Sequence, residues 1–265
     1  MIIFQNIIAI FRKELQGYFA SPFAYIVMGI FWLLGGFFLV AILLSPEGII
    51  SQIAQRDKLG VPTPPVDVAY EFLRFFLGVM GSLAMFVLPI LSMGLYAEER
   101  KWGTLELLAT SPLTNWSVAV GKLLGVITFF SAMIAPLLGL EAIVLGAANP
   151  PIPIMVPLLG HLGLLLMAGA VLSLGMFISS LTDKTIVAAI LTFALIFSLS
   201  LVELLAKSIG GSVGAALEHL SLMKHYTNLV QGVLDTSSLV LFSSYILLGI
   251  FLTAQSIEAL RFSRR

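Results

Sequence analysis

The stretch FAYIVMGIFWLLGGFFLVAILL, from Phe23 to Leu44, contains 22 residues and no charged side chain. A helix needs about 20 apolar residues to cross a hydrocarbon layer roughly 30 Å thick. Five further stretches have a similar length and character: Phe75–Ala97, Val118–Ala147, Ile154–Leu181, Thr185–Ala206 and Leu239–Ala259. The sequence therefore predicts an all-α integral membrane protein with six transmembrane helices.

The composition of the whole chain agrees with this interpretation. Hydrophobic residues make up 59% of the 265 residues and charged residues 11%, whereas soluble domains average about 45–50% and about 25%. We expect one transmembrane domain over residues 1–265. The net charge of zero gives no basic excess for nucleic acid, and the absence of cysteine excludes disulfides and thiolate metal sites.

The basic residues predict the orientation, because cytoplasmic loops of membrane proteins are enriched in Lys and Arg. An N-terminus on the cytoplasmic side gives nine basic residues inside and five outside. The inner ones are Arg12, Lys13, Arg100, Lys101, Lys122, Lys184, Arg261, Arg264 and Arg265; the outer ones are Arg56, Lys58, Arg74, Lys207 and Lys224. Both termini are therefore predicted to be cytoplasmic, with an outer segment at 207–238.

The residues before the first span predict an amphipathic helix. Apolar side chains recur at three-to-four spacing from Ile3 to Phe19, with polar ones largely on the other side, until Ala20, Ser21 and Pro22 interrupt the pattern. Such a helix lies along the membrane interface with its basic face towards the headgroups. It serves either as an anchor or as an element that moves the first span.

A polar segment between the second and third spans stands out from its apolar surroundings. Residues 98–112 read EERKWGTLELLATSP and hold five of the 28 formal charges of the chain. Gly103 predicts a break, Thr104 can cap a short helix, Glu106 would complement its dipole and Pro112 would end it. Because Leu105, Leu107 and Leu108 lack obvious cover, the segment is either a helix docked on a soluble partner or a solvated loop.

This segment resembles the permease subunits of ABC transporters of the ABC-2 type. The resemblance rests on Glu98-Glu99-Arg100, on Gly103 to Leu108 and on Ser111-Pro112, and a second stretch from Leu174 to Thr182 leading into Ala188 is similar to the turn between the fourth and fifth helices of that family. Among subfamilies, the chain looks most like the permeases named for gliding motility and for maturation of multicopper enzymes.

The resemblance implies a division of labour between subunits. The short helix after the second span would be the coupling helix, which docks on an ATP-hydrolysing subunit. The residues it implies for ATPase coupling are Glu98, Glu99, Arg100, Lys101, Gly103, Thr104, Leu105, Glu106 and Leu108, with residues 98–101 as a charged hinge. The implied partners are an ABC ATPase subunit, a second permease subunit that is identical or paralogous, and membrane lipid. The implied location is the bacterial inner membrane.

No catalytic set was found in the chain. Gly121-Lys122 lacks the earlier Gly and the following Ser or Thr of a P-loop, since Trp116 and Leu123 occupy those places. The chain is therefore not expected to be an enzyme or to bind a cofactor, and ATP and Mg are expected on the partner ATPase. His161, His219 and His225 do not form a zinc-hydrolase motif, and for His219 and His225 a surface role is favoured over a metal site.

Ionisable residues inside the spans are the remaining candidates for function. Glu141 and Glu203 lie near the outer third of their spans, where they sit at the headgroup boundary or line an outer vestibule. Lys122 is expected to reach the cytoplasmic interface by snorkelling. Gly121 and Gly125 have the spacing that allows helices to approach closely.

The function predicted is that of a transmembrane permease subunit of an ATP-driven transporter, which couples ATP hydrolysis to export or to outward force. Two alternatives are an ion-gradient-driven secondary transporter, which would need polar groups near the midplane, and a membrane scaffold that transports nothing. An intramembrane enzyme would need a catalytic set that the sequence does not show.

Overall fold

The computed structural model describes residues 2–58, 67–105, 113–148 and 152–262. These residues form helices and no strands, and six of the helices are long and apolar enough to cross a membrane. The prediction of an all-α membrane protein with six spanning helices is therefore confirmed. In chain order the helices are α1 (Ile2–Ala20), α2 (Pro22–Leu44), α3 (Ile49–Lys58), α4 (Val68–Ser92), α5 (Gly94–Lys101), α6 (Asn115–Gly146), α7 (Met155–Leu181), α8 (Thr185–Ile209), α9 (Gly211–Glu218), α10 (Leu222–Val230) and α11 (Thr236–Phe262).

Short polar side chains start several of the spanning helices. Ser21 accepts a hydrogen bond from the Ala24 amide at the start of α2, and Pro22 follows at the first helical position. Thr114 accepts from the Ser117 amide at the start of α6. Because these caps lie ahead of the uninterrupted apolar run, α6 begins three residues before the predicted Val118.

The core of the bundle is built around α7, the most deeply buried of the six spans. It packs most extensively against α11 and also against α4, α10 and α6. Small residues permit these contacts: a Cβ atom at Gly249 of α11 would collide with Ser173 of α7, so the two helices approach closely at this point.

By contrast, α2 and α8 present much of their apolar surface outwards. Large hydrophobic side chains such as Leu33 and Phe37 of α2, and Ile186 and Ile190 of α8, are exposed. In water such a surface would be unfavourable, but a hydrocarbon environment covers it at no cost. These two helices thus form the sides of the bundle that suit lipid or another membrane subunit.

The N-terminal helix is confirmed as an element, and it docks on α6. Gly121 and Gly125 of α6 lie directly beneath it: a Cβ atom at Gly121 would be 2.8 Å from Cβ of Ile10, and one at Gly125 would be 2.8 Å from Cβ of Glu14. The predicted close-packing role of this glycine pair is confirmed. As a result, α1 is a packed part of the bundle along this face.

The segment between the fifth and sixth spans contains the short helices α9 and α10. Gly210 and Gly211 have φ values of 64° and 63°, a left-handed backbone that ends α8 and redirects the chain into α9. Tyr226 of the following α10 donates a hydrogen bond to the Leu77 carbonyl of α4 at 2.6 Å. This bond fastens α10 to the end of the bundle opposite α5.

Candidate functional site

The polar segment that starts at Glu98 and the stretch from Leu174 to Thr182 meet in space at α5. The Ser179 hydroxyl of α7 accepts hydrogen bonds from the backbone amides of Tyr96 and Ala97, each at 3.0 Å, and donates to the Met93 carbonyl at 2.7 Å. Pro89 interrupts the hydrogen bonding of α4 near its end, because it has no amide hydrogen. A turn at Met93 then separates α4 from α5. Ser179 therefore bridges the backbone at the point where the second span passes into α5.

A second set of contacts continues along the same face of α5. Nη1 of Arg100 donates to the Ser180 carbonyl at 2.9 Å, and the Ser180 hydroxyl is hydrogen-bonded to the Ser256 hydroxyl of α11 at 2.9 Å. Arg100, expected in a charged hinge, is thus attached to the bundle. Through Ser179 and Ser180, α5 is held by α7 and indirectly by α11.

On its other face, α5 takes part in a buried cluster of charges, here called the charged junction: Glu14, Glu99 and Lys122, with Lys13 at its rim. Nζ of Lys122 donates to Oε1 of Glu14 and Oε1 of Glu99, each at 2.9 Å, and to the Leu95 carbonyl at 2.8 Å. An ammonium group has three donors, so Lys122 is fully satisfied. The three helices α1, α5 and α6 meet at this one nitrogen atom.

Lys13 completes the charge balance of the junction from the exposed side. Its Nζ lies 3.2 Å from Oε1 of Glu99 and 3.8 Å from Oε1 of Glu14. Partial burial alone would lower the pKa of Lys13, but the neighbouring Glu99 and Glu14 carboxylates outweigh it and raise the pKa. Two carboxylates and two ammonium groups therefore face each other without a net charge.

The charged junction is buried, which distinguishes it from an ordinary surface ion pair. The Lys122 side chain is 2% exposed and that of Glu99 13% exposed. The expectation that Lys122 snorkels to the interface is wrong, because its ammonium group is bound inside the bundle. Glu99 is also largely covered, and replacing it would leave the buried ammonium group of Lys122 with one carboxylate fewer.

The remaining hinge residues face outwards. Glu98 and Lys101 are exposed, and the Trp102 side chain is 74% exposed. Gly103 has a φ of 71°, which confirms the predicted break after α5. The Thr104 hydroxyl donates to the Glu99 carbonyl at 3.2 Å, so Thr104 contacts the preceding helix.

Leu105 differs from the sequence-based expectation. It was expected to lack cover, yet it is 6% exposed and belongs to the apolar core of the chain. It therefore offers little surface to a partner. Glu106, Leu107, Leu108, Ser111 and Pro112 lie outside the described residues, and the coupling role of the segment stays a prediction.

Comparison with known proteins places the chain in a family. The model of the family described as ABC-2 family transporter protein matches residues 64–251, which are 188 of the 265 residues and include α4 to α8. The chain belongs to the ABC-2 transporter family. No curated protein sequence matches it. This ABC-2 protein is thus a multi-pass membrane component of an ABC transporter, and such a component is not itself the ATPase.

The two acidic candidates for an outer vestibule have different outcomes in this ABC-2 protein. Glu141 of α6 is 0% exposed and lies among buried residues. It therefore neither sits at an exposed headgroup boundary nor lines an open vestibule in this conformation. Glu203 belongs to α8, but its side chain lies outside the described residues, so its role stays a prediction.

The histidines of the opposite end also differ from expectation. His219 is exposed, but His225 is buried, so a surface role is wrong for His225. Its Nδ1 lies 2.8 Å from the Ser238 hydroxyl and its Nε2 lies 3.2 Å from the His219 carbonyl. Burial lowers the pKa of His225. Within the described part of the chain, no group of three metal-ligating side chains comes together.

Glu14 and Lys122 are the functional candidates whose pairing sequence reasoning missed. Each carries a signal: Glu14 interrupts an otherwise apolar helix face, and Lys122 lies inside the third apolar run. An ionisable residue within a span pairs with another in most membrane proteins. A search for the acid that neutralises Lys122 would have pointed to Glu14 and Glu99.

Proposed function

We propose that this ABC-2 permease couples ATP hydrolysis by a separate ABC ATPase subunit to export or to outward force, through α5 and the segment that follows it. ATP and Mg would bind to that partner. The segment from Gly103 to Ala109 would dock on the ATPase, and residues 98–101 would connect it to the second span. Like the subfamily it resembles, the gliding-motility and multicopper-enzyme-maturation group, the chain would work as a pair with an identical or paralogous permease.

The charged junction is the observation that carries this proposal. A docking segment transmits motion only if it is joined firmly to the spans. Here Glu99, five residues ahead of Thr104, is bound to Lys122 of α6 and shares that lysine with Glu14 of α1. A displacement imposed at Trp102 and Thr104 would therefore be passed to three helices together.

An exposed tryptophan beside a cleft at α5 supports docking of a soluble protein at this end of the bundle. Trp102 is exposed beside a cleft of about 330 Å³, lined by residues of α1, α5 and α6 together with Thr104. Trp is enriched at protein interfaces and contributes strongly to binding when it is covered. Trp102 is therefore the anchor that we propose for the ATPase.

Cysteine crosslinking to the ABC ATPase subunit that copurifies with this permease would test the docking surface. The chain has no cysteine, so single replacements report without a background. Cysteine at Trp102 or Thr104 should crosslink, whereas cysteine at the buried Leu105 should react weakly and cysteine at the exposed Ser212, in α9, should not react. Equal crosslinking from Ser212 and Trp102 would refute the docking surface.

Orientation is the second element of the proposal. The basic asymmetry supports cytoplasmic termini in a bacterial inner membrane, and Lys184 would then face the cytoplasm while Ser212 faces outwards. Both positions are exposed. An impermeant thiol reagent added to intact cells should label Ser212→Cys and should not label Lys184→Cys. The reverse labelling pattern would place the docking segment on the wrong side for a cytoplasmic ATPase.

An exposed hinge residue tests coupling without disturbing the buried pairs. Glu98→Ala should leave insertion and stability nearly unchanged, because an exposed ion pair contributes about 0–1 kcal/mol to the free energy of unfolding. The ATPase rate of the complex should nevertheless change, because the permease would no longer influence hydrolysis by its partner. ATPase rates of the reconstituted complex with Glu98→Ala and with the outward-facing control Glu71→Ala would measure this. An ATPase rate equal to wild type in both would remove Glu98 from the coupling path.

A further inference from the structure

A buried carboxyl group in the half of the bundle away from α5 has no hydrogen-bonding partner. Glu141 of α6 is 0% exposed, and neither of its carboxylate oxygens has a hydrogen-bond partner within the described part of the chain. The charged junction is not involved, since its acids are Glu14 and Glu99. Glu141 is thus a second, separate ionisable site inside the spans.

The nearest polar group is His161 of α7, and its geometry does not satisfy a carboxylate. Nδ1 of His161 lies 3.7 Å from Oε2 of Glu141, which is too long for a hydrogen bond. The same nitrogen lies 3.0 Å from the Pro157 carbonyl oxygen. A carbonyl oxygen only accepts, so Nδ1 carries a hydrogen that is already donated to Pro157.

Tyr226 of α10 is a further titratable side chain that interacts electrostatically with Glu141. Its hydroxyl hydrogen is donated to the Leu77 carbonyl at 2.6 Å, so it is not available to the carboxyl group. Among the described residues, α1, α2, α4 and α11 bring no charged group within ion-pair distance of Glu141. Among the described residues, the surroundings of Glu141 therefore supply no hydrogen-bond donor, and a counter-ion would exist only if the His161 imidazole were protonated.

Close helix packing keeps this region compact. The glycines on either side of His161 lie against neighbouring helices: Gly160 faces Leu77 of α4, and a Cβ atom at Gly163 would lie 2.9 Å from Cβ of Leu229 in α10. A charged carboxylate in such an environment, with no donor, is strongly unfavourable, whereas the neutral acid is tolerated.

We propose that Glu141 is a proton-binding site, occupied by a proton when α6, α7 and α10 are packed as they are here. His161 is the positioning residue: it remains neutral, donates to Pro157 and fills the space beside the carboxyl group. A conformation in which α6 and α7 separate would hydrate Glu141 and release the proton. Proton binding and the packed conformation are then linked, each favouring the other.

Infrared spectroscopy of the full chain in lipid nanodiscs tests the proposal directly. A protonated carboxyl group has a C=O stretch that a carboxylate lacks, and it shifts when the solvent is exchanged for D2O. Wild type should show this band at about pH 7, where an ordinary Glu with a pKa of about 4.3 is ionised. Glu141→Gln should lose the band, while Glu71→Gln, at a partly exposed position beside Arg74, should retain it.

Two further variants keep the test decisive. If Glu141→Gln does not fold, Glu141→Asp should retain a protonated band at a shifted frequency. His161→Gln should also retain the band, because the imidazole is not the counter-ion. A wild-type spectrum without the band, or a full-strength band in Glu141→Gln, would overturn the proposal. Appearance of the band only in His161→Gln would overturn it in favour of an imidazolium–carboxylate pair.

Discussion

Nζ of Lys122 lies 2.9 Å from Oε1 of Glu99, although 23 residues separate the two in the chain. This pair joins the third span to the helix that leads out of the second. Glu14 binds the same nitrogen from α1, so a single ammonium group determines how three helices meet. Removing it leaves two partly buried carboxylates with only the exposed Lys13 as a counter-charge.

Lys122→Met should therefore destabilise this ABC-2 protein. Loss of one partner from a buried ion pair costs about 3–5 kcal/mol, since the remaining charges stay buried without compensation. Thermal unfolding of the purified chain would measure the loss. Lys101→Met is the matched control, because Lys101 is exposed and its replacement should change stability by less than about 1 kcal/mol.

The triple variant Glu14→Gln, Glu99→Gln, Lys122→Met would separate the ion pairs from the packing. With every buried charge of the cluster removed, much of the stability should return, because replacement of a whole buried ion cluster by neutral groups is close to neutral. A triple variant as unstable as Lys122→Met alone would contradict an electrostatic origin and indicate lost packing of the lysine stem.

Ser179→Ala should loosen the attachment of α5 to α7. The variant removes the acceptor of the Tyr96 and Ala97 amides, and a buried donor left unpaired costs about 1–3 kcal/mol. Hydrogen–deuterium exchange at α5 should become faster. Ser198→Ala is the control, because its exposed hydroxyl bonds only to its own helix; unchanged exchange at α5 in Ser179→Ala would show that another contact holds α5.

Gly121→Ala should displace α1 from α6. The added Cβ would lie 3.0 Å from the Ile7 carbonyl oxygen and 2.8 Å from Ile10, and the backbone atom cannot rotate away. We expect a loss of about 1–3 kcal/mol. Gly139→Ala on the same helix meets nothing within 4 Å and should be neutral or slightly stabilising through helix propensity. Equal effects of the two variants in thermal unfolding would argue against tight docking of α1.

Acidification should weaken the end of the bundle that contains α10. Burial lowers the pKa of His225 below its ordinary value of about 6.5. The unfolded chain then binds the proton more readily than the folded one, so the stability contributed by neutral His225 is present above about pH 6.5 and decreases as the pH falls below it. Between about pH 7.5 and about pH 5.5, wild type should lose more thermal stability than His225→Gln. His219→Gln, at an exposed site, should behave like wild type.

The spans could be predicted from the sequence because an apolar run longer than the hydrocarbon thickness has few other uses. The glycine pair on α6 was predictable for a similar reason, since small residues at that spacing favour helix contact. The environment of Lys122 was not predictable, because the apolar residues around it in the sequence are the same whether its ammonium group reaches the interface or binds another helix. Its environment depends on Glu14, which is 108 residues away.

Ser179 shows that a sequence motif does not reveal the contacts of its side chains. The stretch that contains it could be matched to a family, but nothing in the stretch indicates that its hydroxyl would bridge the backbone at Met93 and Tyr96. Such a contact depends on the turn after Pro89 and on how deeply α7 lies in the bundle. Leu105 was misjudged for the corresponding reason, because local sequence cannot show that distant helices cover it.

The docking of α1 on α6 sets the order in which the protein can be completed during synthesis. Glu14 emerges from the ribosome 108 residues before Lys122, and at about 5–20 residues per second that interval lasts roughly 5–20 s. Throughout this time the apolar face of α1 and its acid have no native counterpart. The first element to be translated is therefore among the later ones to find its place, and until the third span inserts, the membrane surface or a chaperone must shelter it.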